Sequence, residues 1–281
     1  MSIIPTLILT ALLSATAALA DGHELVTRLS DREPATFSEV IARATGSDLV
    51  LIGESHDNAS HHEMELAVIR ALWNKKLPLA IGLEMMQTDS QKQLDDWTEG
   101  KIDEQHFRLV FADNWSMDWD MYRDIFIFAR EHRVPMVALN IPKEIVSKVA
   151  HQGFASLTQE ERKDLPQGTS CDLNNPNTQV LIKTFRSVPS HREGGKMFTY
   201  FCEAQTLRNS GMALNIARYH GKHPGIKMVS LTGIWHAVKN AIPDQLDRHG
   251  SKLGCLIILP EIPEAPAGTF EADSADYLIG L

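Results

Sequence analysis

Five near-continuous apolar runs constrain this chain more than any other feature. They are "DLVLIG" (Asp48 to Gly53), "LPLAIGLEMM" (Leu77 to Met86), "VPMVALN" (Val134 to Asn140), "IKMVSLTG" (Ile226 to Gly233) and "KLGCLIILP" (Lys252 to Pro260). A strand with one wet face alternates apolar and polar residues, whereas these runs hardly alternate, so each reads as a strand covered on both faces. Helical spacing separates them. "TFSEVIARATG" offers Thr36 as a cap, Phe37, Val40, Ile41 and Ala44 on one face, and Gly46 as a stop. From Ser60 the spacing Leu66, Ile69, Trp73 is helical, Thr88 to Gln91 offers a capping box, and Trp119, Tyr122, Phe126 and Ala129 share one face. Strands alternating with helices predict an α/β fold: a largely parallel central sheet with helices on both faces. Residues from about 142 to 220 read as a helical insertion between the third and fourth of the five strands, with His191 to His220 forming one bent helix or two. The expected organisation is one domain, residues 21–281.

The first 20 residues carry no charged side chain, and the apolar run from Pro5 to Leu19 ends in Ala18-Leu19-Ala20, the pattern of a cleaved secretory signal peptide. An exported, periplasmic chain is therefore expected. No cysteine follows the cleavage point directly, so no lipid anchor is indicated. Cys171, Cys202 and Cys255 allow at most one disulfide and leave one thiol over, and their spacing fits no zinc or haem-attachment motif. The 43% hydrophobic and 22% charged residues suit a globular core, and a net charge of −9 disfavours a nucleic-acid partner.

Chemistry gathers where the strands end. Glu54 and His56 follow the first run, Glu84 lies in the second, Asn140 closes the third, and His236 follows the fourth. In open parallel sheets the ligand crevice lies beyond the carboxyl ends of the strands. His56, His236, Glu54 and Glu84 supply two imidazoles and two carboxylates, a sufficient ligand set for Zn²⁺, Mn²⁺ or Fe²⁺, and His56 and His236 are expected to meet at one point. Each residue taken singly also reads as an ordinary hydrogen-bonded loop or cap residue. His62 faces inward with Leu66 and Ile69, while His61 lines up with Glu65. Nucleophile-elbow, phosphate-loop, dinucleotide and H-E-x-x-H motifs are all missing from the sequence.

Five blocks in order, "LIGESHDNASHH", "LPLAIGLEMM", "FADNWSMDWDMYRDIFIFAREHRVPMVALNIPKEI", "EAQTLRNSGMALNIARY" and "MVSLTGIWHAVKNAIPDQL", resemble the ChaN-like family of haem-binding uptake proteins. That family belongs to a superfamily with Tiki, TraB and the erythromycin esterases. The resemblance implies an exported, iron-regulated protein that binds haem, as a cofacial pair between two subunits, and serves outer-membrane haem-uptake components. It also picks out two G-x-x-H motifs, Gly53-Glu54-Ser55-His56 and Gly233-Ile234-Trp235-His236, together with Glu84. The chain departs from the family in lacking a lipobox cysteine and in having Asn209 and Ser210 where many members place an acidic residue before Met212-Ala213.

Two functions follow from these residues. The first is haem binding, which needs an apolar slot and an axial Tyr or His; Tyr122 leads the candidates, beside His62, Tyr200, Tyr219 and Tyr277. The second is metal-dependent hydrolysis of the Tiki and erythromycin-esterase type, with His56, His236, Glu54 and Glu84 holding a metal whose water is the nucleophile, Glu54 or Glu84 instead serving as general base.

Overall fold

The structure, a computed structural model, describes residues 25–163, 165, 170–175, 178–179, 195–262 and 268–281. The expected leader lies outside the described residues. In chain order the elements are β1 (Val26–Arg28), β2 (Glu33–Ala35), α1 (Phe37–Thr45), β3 (Leu49–Glu54), α2 (Ala59–Asn74), β4 (Leu79–Gln87), α3 (Gln91–Thr98), α4 (Glu104–Asn114), α5 (Trp119–His132) and β5 (Met136–Asn140). There follow α6 (Lys143–Gln152), α7 (Gln159–Arg162), α8 (Gly195–Lys222), β6 (Lys227–Gly233), α9 (Ile234–Ala237), α10 (Ile242–Arg248), β7 (Cys255–Pro260) and β8 (Tyr277–Ile279).

The eight strands form one sheet in the order β2-β1-β8-β7-β3-β6-β4-β5, in which β1 pairs antiparallel with both neighbours and the pairs from β8 to β5 are parallel. The α/β class and the five apolar strands are as the sequence predicts. Strands β1, β2 and β8 are the difference: at three residues each they are too short to carry a period, and only pairing makes them strands. Helix α8 is a single helix of 28 residues and, with α6 and α7, lies among the described residues between β5 and β6.

The parity of each strand decides what its side chains meet. Val50 and Ile52, Ile81 and Leu83, Val229 and Leu231, Leu256 and Ile258 pack on one face against α1 to α5, burying Trp97, Phe107, Phe111, Tyr122 and Phe126. Leu49 and Leu51, Ala80, Met228, Val137 and Leu139, Ile257 and Leu259 pack on the other, under Met212, Ala213 and Ile216 of α8. Helix α1 starts and stops where expected: the Thr36 hydroxyl accepts from the Glu39 N–H at 3.2 Å, and Val40, Ile41 and Ala44 are buried. The capping box proposed at Thr88 is not made; Thr88–Ser90 is a single 3₁₀ turn, and α3 begins after it at Gln91. Cys171 and Cys202 form a disulfide across 31 residues, tying α8 to the chain before it. Cys255 is the remaining thiol, which burial pushes up to about 12.

Candidate functional site

Register brings the strand ends level. Glu54 pairs opposite Gly233, Leu83 opposite Leu231 of the same β6, and Asn140 opposite Gln87, so Glu54, Glu84, Asn140 and Gly233 lie along one edge. The two carboxylates nonetheless leave the sheet on opposite faces. Glu54 follows Val50 and Ile52 toward α2 and α5, whereas Glu84 follows Ala80 and Gly82 toward α8. Two clusters result, with His56 between them.

In the first cluster Glu54 Oε1 accepts from the Tyr122 hydroxyl at 2.7 Å and lies 2.6 Å from His56 Nδ1. His62 Nδ1 lies 2.8 Å from Glu54 Oε2 and 3.1 Å from Glu65 Oε2, while His62 Nε2 lies 3.3 Å from the His56 carbonyl oxygen. All of Glu54, His62, Glu65 and Tyr122 are buried. Burial opposes charge on Glu54, yet the hydrogen bonds from His56 and His62 win and hold its carboxyl down to about 2. Burial also opposes charge on His62, and the hydrogen bonds to Glu54 and Glu65 hold the imidazolium up to about 10. Burial, with the neighbouring charge of Glu54, pushes the Glu65 carboxyl well above the ordinary range. Glu65 thus pairs with His62 and not with His61, the residue that helical spacing lines up with it. His61 instead accepts the Ser55 N–H through Nδ1 at 2.8 Å.

In the second cluster Glu84 Oε2 accepts the Gly233 N–H at 2.7 Å, Arg208 of α8 hydrogen-bonds Oε1, and His236 Nε2 lies 3.6 Å from that oxygen. Asn140 Nδ2 donates to the Glu84 carbonyl at 3.0 Å, and Asn209 hydrogen-bonds His236 Nδ1. Burial pulls His236 down to about 4, so it is neutral near pH 7. Burial works against the Glu84 carboxylate, and His236, Arg208 and His56 together hold it below its ordinary value.

His236 approaches Glu84 directly, at 3.6 Å, and His56 approaches the same end of the sheet over Gly233. A Cβ placed on Gly233 would sit 3.0 Å from His56 Nε2 and 3.7 Å from Glu84 Oε2, so this glycine makes the approach of His56 possible. His56 is 29% exposed and meets Trp115 edge to face at 4.9 Å.

The expected four-residue metal set does not share one centre. Both oxygens of Glu84 are taken by Arg208 and Gly233, Glu54 Oε1 is taken by Tyr122 and His56, and strand parity separates the carboxylates. Among the described residues the three-residue group whose ligand atoms lie within 4.8 Å of one another is Glu54, His62 and Glu65. Tyr122 and His62, expected as haem ligands, are also committed: the Tyr122 ring is fully buried with its hydroxyl on Glu54, and both His62 nitrogens face protein oxygens. Tyr277 is buried and Tyr219 lies against His223 at 4.3 Å. Tyr200 is part-exposed on α8 and crosses Gly153, where a Cβ would come within 2.6 Å of its ring.

The residue pattern alone does not single out Arg208, and it gives neither Glu65 nor Asn209 a role in the site. Each interrupts an otherwise buried helical face, which is the signal that would have found them.

The fold has known relatives. The structure matches ChaN of Campylobacter jejuni, described as binding haem cofacially, with TM-score 0.73 and 17% identity over 91% of this chain and 96% of that one. It matches an erythromycin esterase in an open conformation with TM-score 0.50 and 14% identity, over 91% and 82% of the two chains. A curated relative, the chloroplastic protein RETICULATA-RELATED 5 of Arabidopsis thaliana, is 24% identical over 154 residues, 47% of this chain and 21% of that protein, so the chain spans about a fifth of its length. The model of the family described as haem-binding uptake, Tiki superfamily, ChaN matches residues 40–246. That match takes in both G-x-x-H motifs and every residue of the two clusters, and the chain belongs to this ChaN family.

Proposed function

We propose that this chain is an exported haem-binding protein of iron acquisition, holding haem on the surface formed by the start of α8. Membership of the haem-binding uptake family over residues 40–246 is the observation that carries this reading. The chemistry of α8 supports it. Its first turns carry Met197, 48% exposed, and the part-exposed phenol of Tyr200 within the apolar run "MFTYF". Haem bound there is a flat apolar plate that needs such a surface and an axial oxygen or nitrogen, and Tyr200 supplies the oxygen. The Tyr122 hydroxyl instead holds Glu54. A second copy of the chain would cover the outer face, so that two haems stack between protomers, and outer-membrane uptake components are the partners for transfer. The Cys171–Cys202 disulfide supports export, since such bonds persist in oxidising compartments.

Haemin titration tests the reading. A saturable Soret shift is expected, with Tyr200→Phe changing the ligand-field bands and Tyr122→Phe leaving them as they are. Absence of a saturable shift discards haem binding; a spectrum altered by Tyr122→Phe and untouched by Tyr200→Phe discards the α8 site. The hydrolase reading is not carried further, because Arg208 and Gly233 occupy the Glu84 carboxylate that it requires.

A further inference from the structure

Apart from haem, we infer that Glu54, His62 and Glu65 form a buried site for one divalent first-row transition cation such as Mn²⁺, Fe²⁺ or Zn²⁺. The starting point is the orientation of one ring. His62 Nε2 is 3.3 Å from the His56 carbonyl oxygen, a group that only accepts, so Nε2 carries a hydrogen. Nδ1 is then turned between two carboxylate oxygens, Glu54 Oε2 at 2.8 Å and Glu65 Oε2 at 3.1 Å. A lone pair aimed at two carboxylates is repulsive unless something positive lies among them. A proton on Nδ1 serves one oxygen well, and the hydrogen-bond geometry is met toward Glu65.

The remaining atoms are short of donors. Glu65 Oε1 is buried without a hydrogen-bond partner, and Glu54 Oε2 meets only His62 Nδ1, at 2.8 Å but out of line for a well-formed hydrogen bond, although both side chains are wholly shielded from solvent. Glu54 Oε1 has no such shortage, being served by Tyr122 and His56 at 2.7 and 2.6 Å, which fixes the carboxylate plane and leaves Oε2 directed at His62. With both carboxylates ionised, one imidazolium would leave an uncompensated negative charge in a dry interior, so without a cation Glu65 has to keep its proton.

A cation resolves each of these features. With bonds of about 2.1 Å, ligands at right angles around a metal lie about 3.0 Å apart, close to the two observed edges of 2.8 and 3.1 Å. The Nε2–H bond to a backbone carbonyl is the outer hydrogen bond that metal-ligating histidines make to fix their tautomer. One nitrogen and two carboxylates suit Mn²⁺, Fe²⁺ and Zn²⁺, with further positions left for water. The rival arrangement is a proton shared by Glu54 and Glu65 beside an imidazolium.

The test uses full-length protein unfolded in chelator and refolded with or without Mn²⁺ or Zn²⁺, since the site is too enclosed to load by simple mixing. One ion per chain is expected to remain after gel filtration and to raise the thermal midpoint. Glu65→Gln, which keeps the shape and mimics the protonated acid, is expected to weaken binding by at least about 100-fold. Glu84→Gln, in the neighbouring cluster, should leave stoichiometry unchanged. Retained affinity in Glu65→Gln overturns the proposal, as does failure of the folded parent to bind either ion, which leaves the shared proton. If Glu65→Gln fails to fold, pulsed EPR of the Mn²⁺ parent decides: coupling to one imidazole nitrogen supports the site, and no nitrogen coupling overturns it.

Discussion

Replacing Arg208 by Met removes the guanidinium from Glu84 while keeping most of the aliphatic stem. Glu84 is 1% exposed and would keep the Gly233 N–H beside the neutral His236 imidazole, with part-exposed His56, already committed to Glu54, as its remaining positive neighbour. A carboxylate so placed takes up a proton instead of staying charged. Holding a group of ordinary value 4.5 protonated at pH 7 costs about 3.4 kcal/mol at 1.36 kcal/mol per pH unit. At pH 5 the same step costs about 0.8 kcal/mol. The sign is fixed: the unfolded chain loses this proton above 4.5 while the folded variant keeps it, so the variant's deficit grows as pH rises. Urea denaturation of parent and variant at pH 7 and pH 5 should therefore show losses near these two figures, in line with the 3–5 kcal/mol typical of orphaning a buried charge. Adding Glu84→Gln should recover most of the loss at pH 7. The escape route is an imidazole: His236, whose protonation starts from 6.5 and costs only about 0.8 kcal/mol at pH 7, or His56, which Glu54 and Glu84 already hold above its ordinary value. A loss below about 1 kcal/mol at pH 7, or a double variant no more stable than the single one, would mean that His236 or His56 carries the compensating proton and would refute the account of Glu84 as an Arg-dependent carboxylate.

Reducing the Cys171–Cys202 disulfide, which closes a separation of 31 residues, should cost roughly 3.5 kcal/mol if chain entropy dominates; a denaturant midpoint unmoved by reductant would contradict this. Acid should destabilise the fold in two steps. Because His236 is held near 4 from an ordinary 6.5, its contribution is intact above 6.5 and is lost as pH falls from there toward 4, while Glu54, held near 2 from 4.5, gives way only below about 4.5. His236→Asn should flatten the stability profile between pH 6.5 and 4 in urea melts, and an unchanged slope would place that titration elsewhere.

Much of this architecture is written locally. A strand buried on both faces must be largely apolar, so the five long strands and the parallel class follow from hydrophobicity, and polar residues gather toward the carboxyl edge, where Glu54 and Asn140 end their strands, Glu84 follows the last pairing of β4 with β6, and His236 sits in the turn of helix after β6. Strands β1, β2 and β8 leave no such trace, because three residues carry no period and their ladder bonds come from partners far along the chain. The site divides in the same way. Its residue types and its edge are legible; its wiring is not, since a side chain's face depends on strand parity combined with inter-strand register. Parity sends Glu54 toward α2, where His62 and Glu65 wait, and Glu84 toward α8, where Arg208 waits, so four residues that read as one metal centre become two clusters. The sequence determined which groups reach the edge, because burial of the strands leaves them nowhere else to go. Tertiary structure alone decided which of them share a charge, because that depends on helices packed from opposite faces of the sheet.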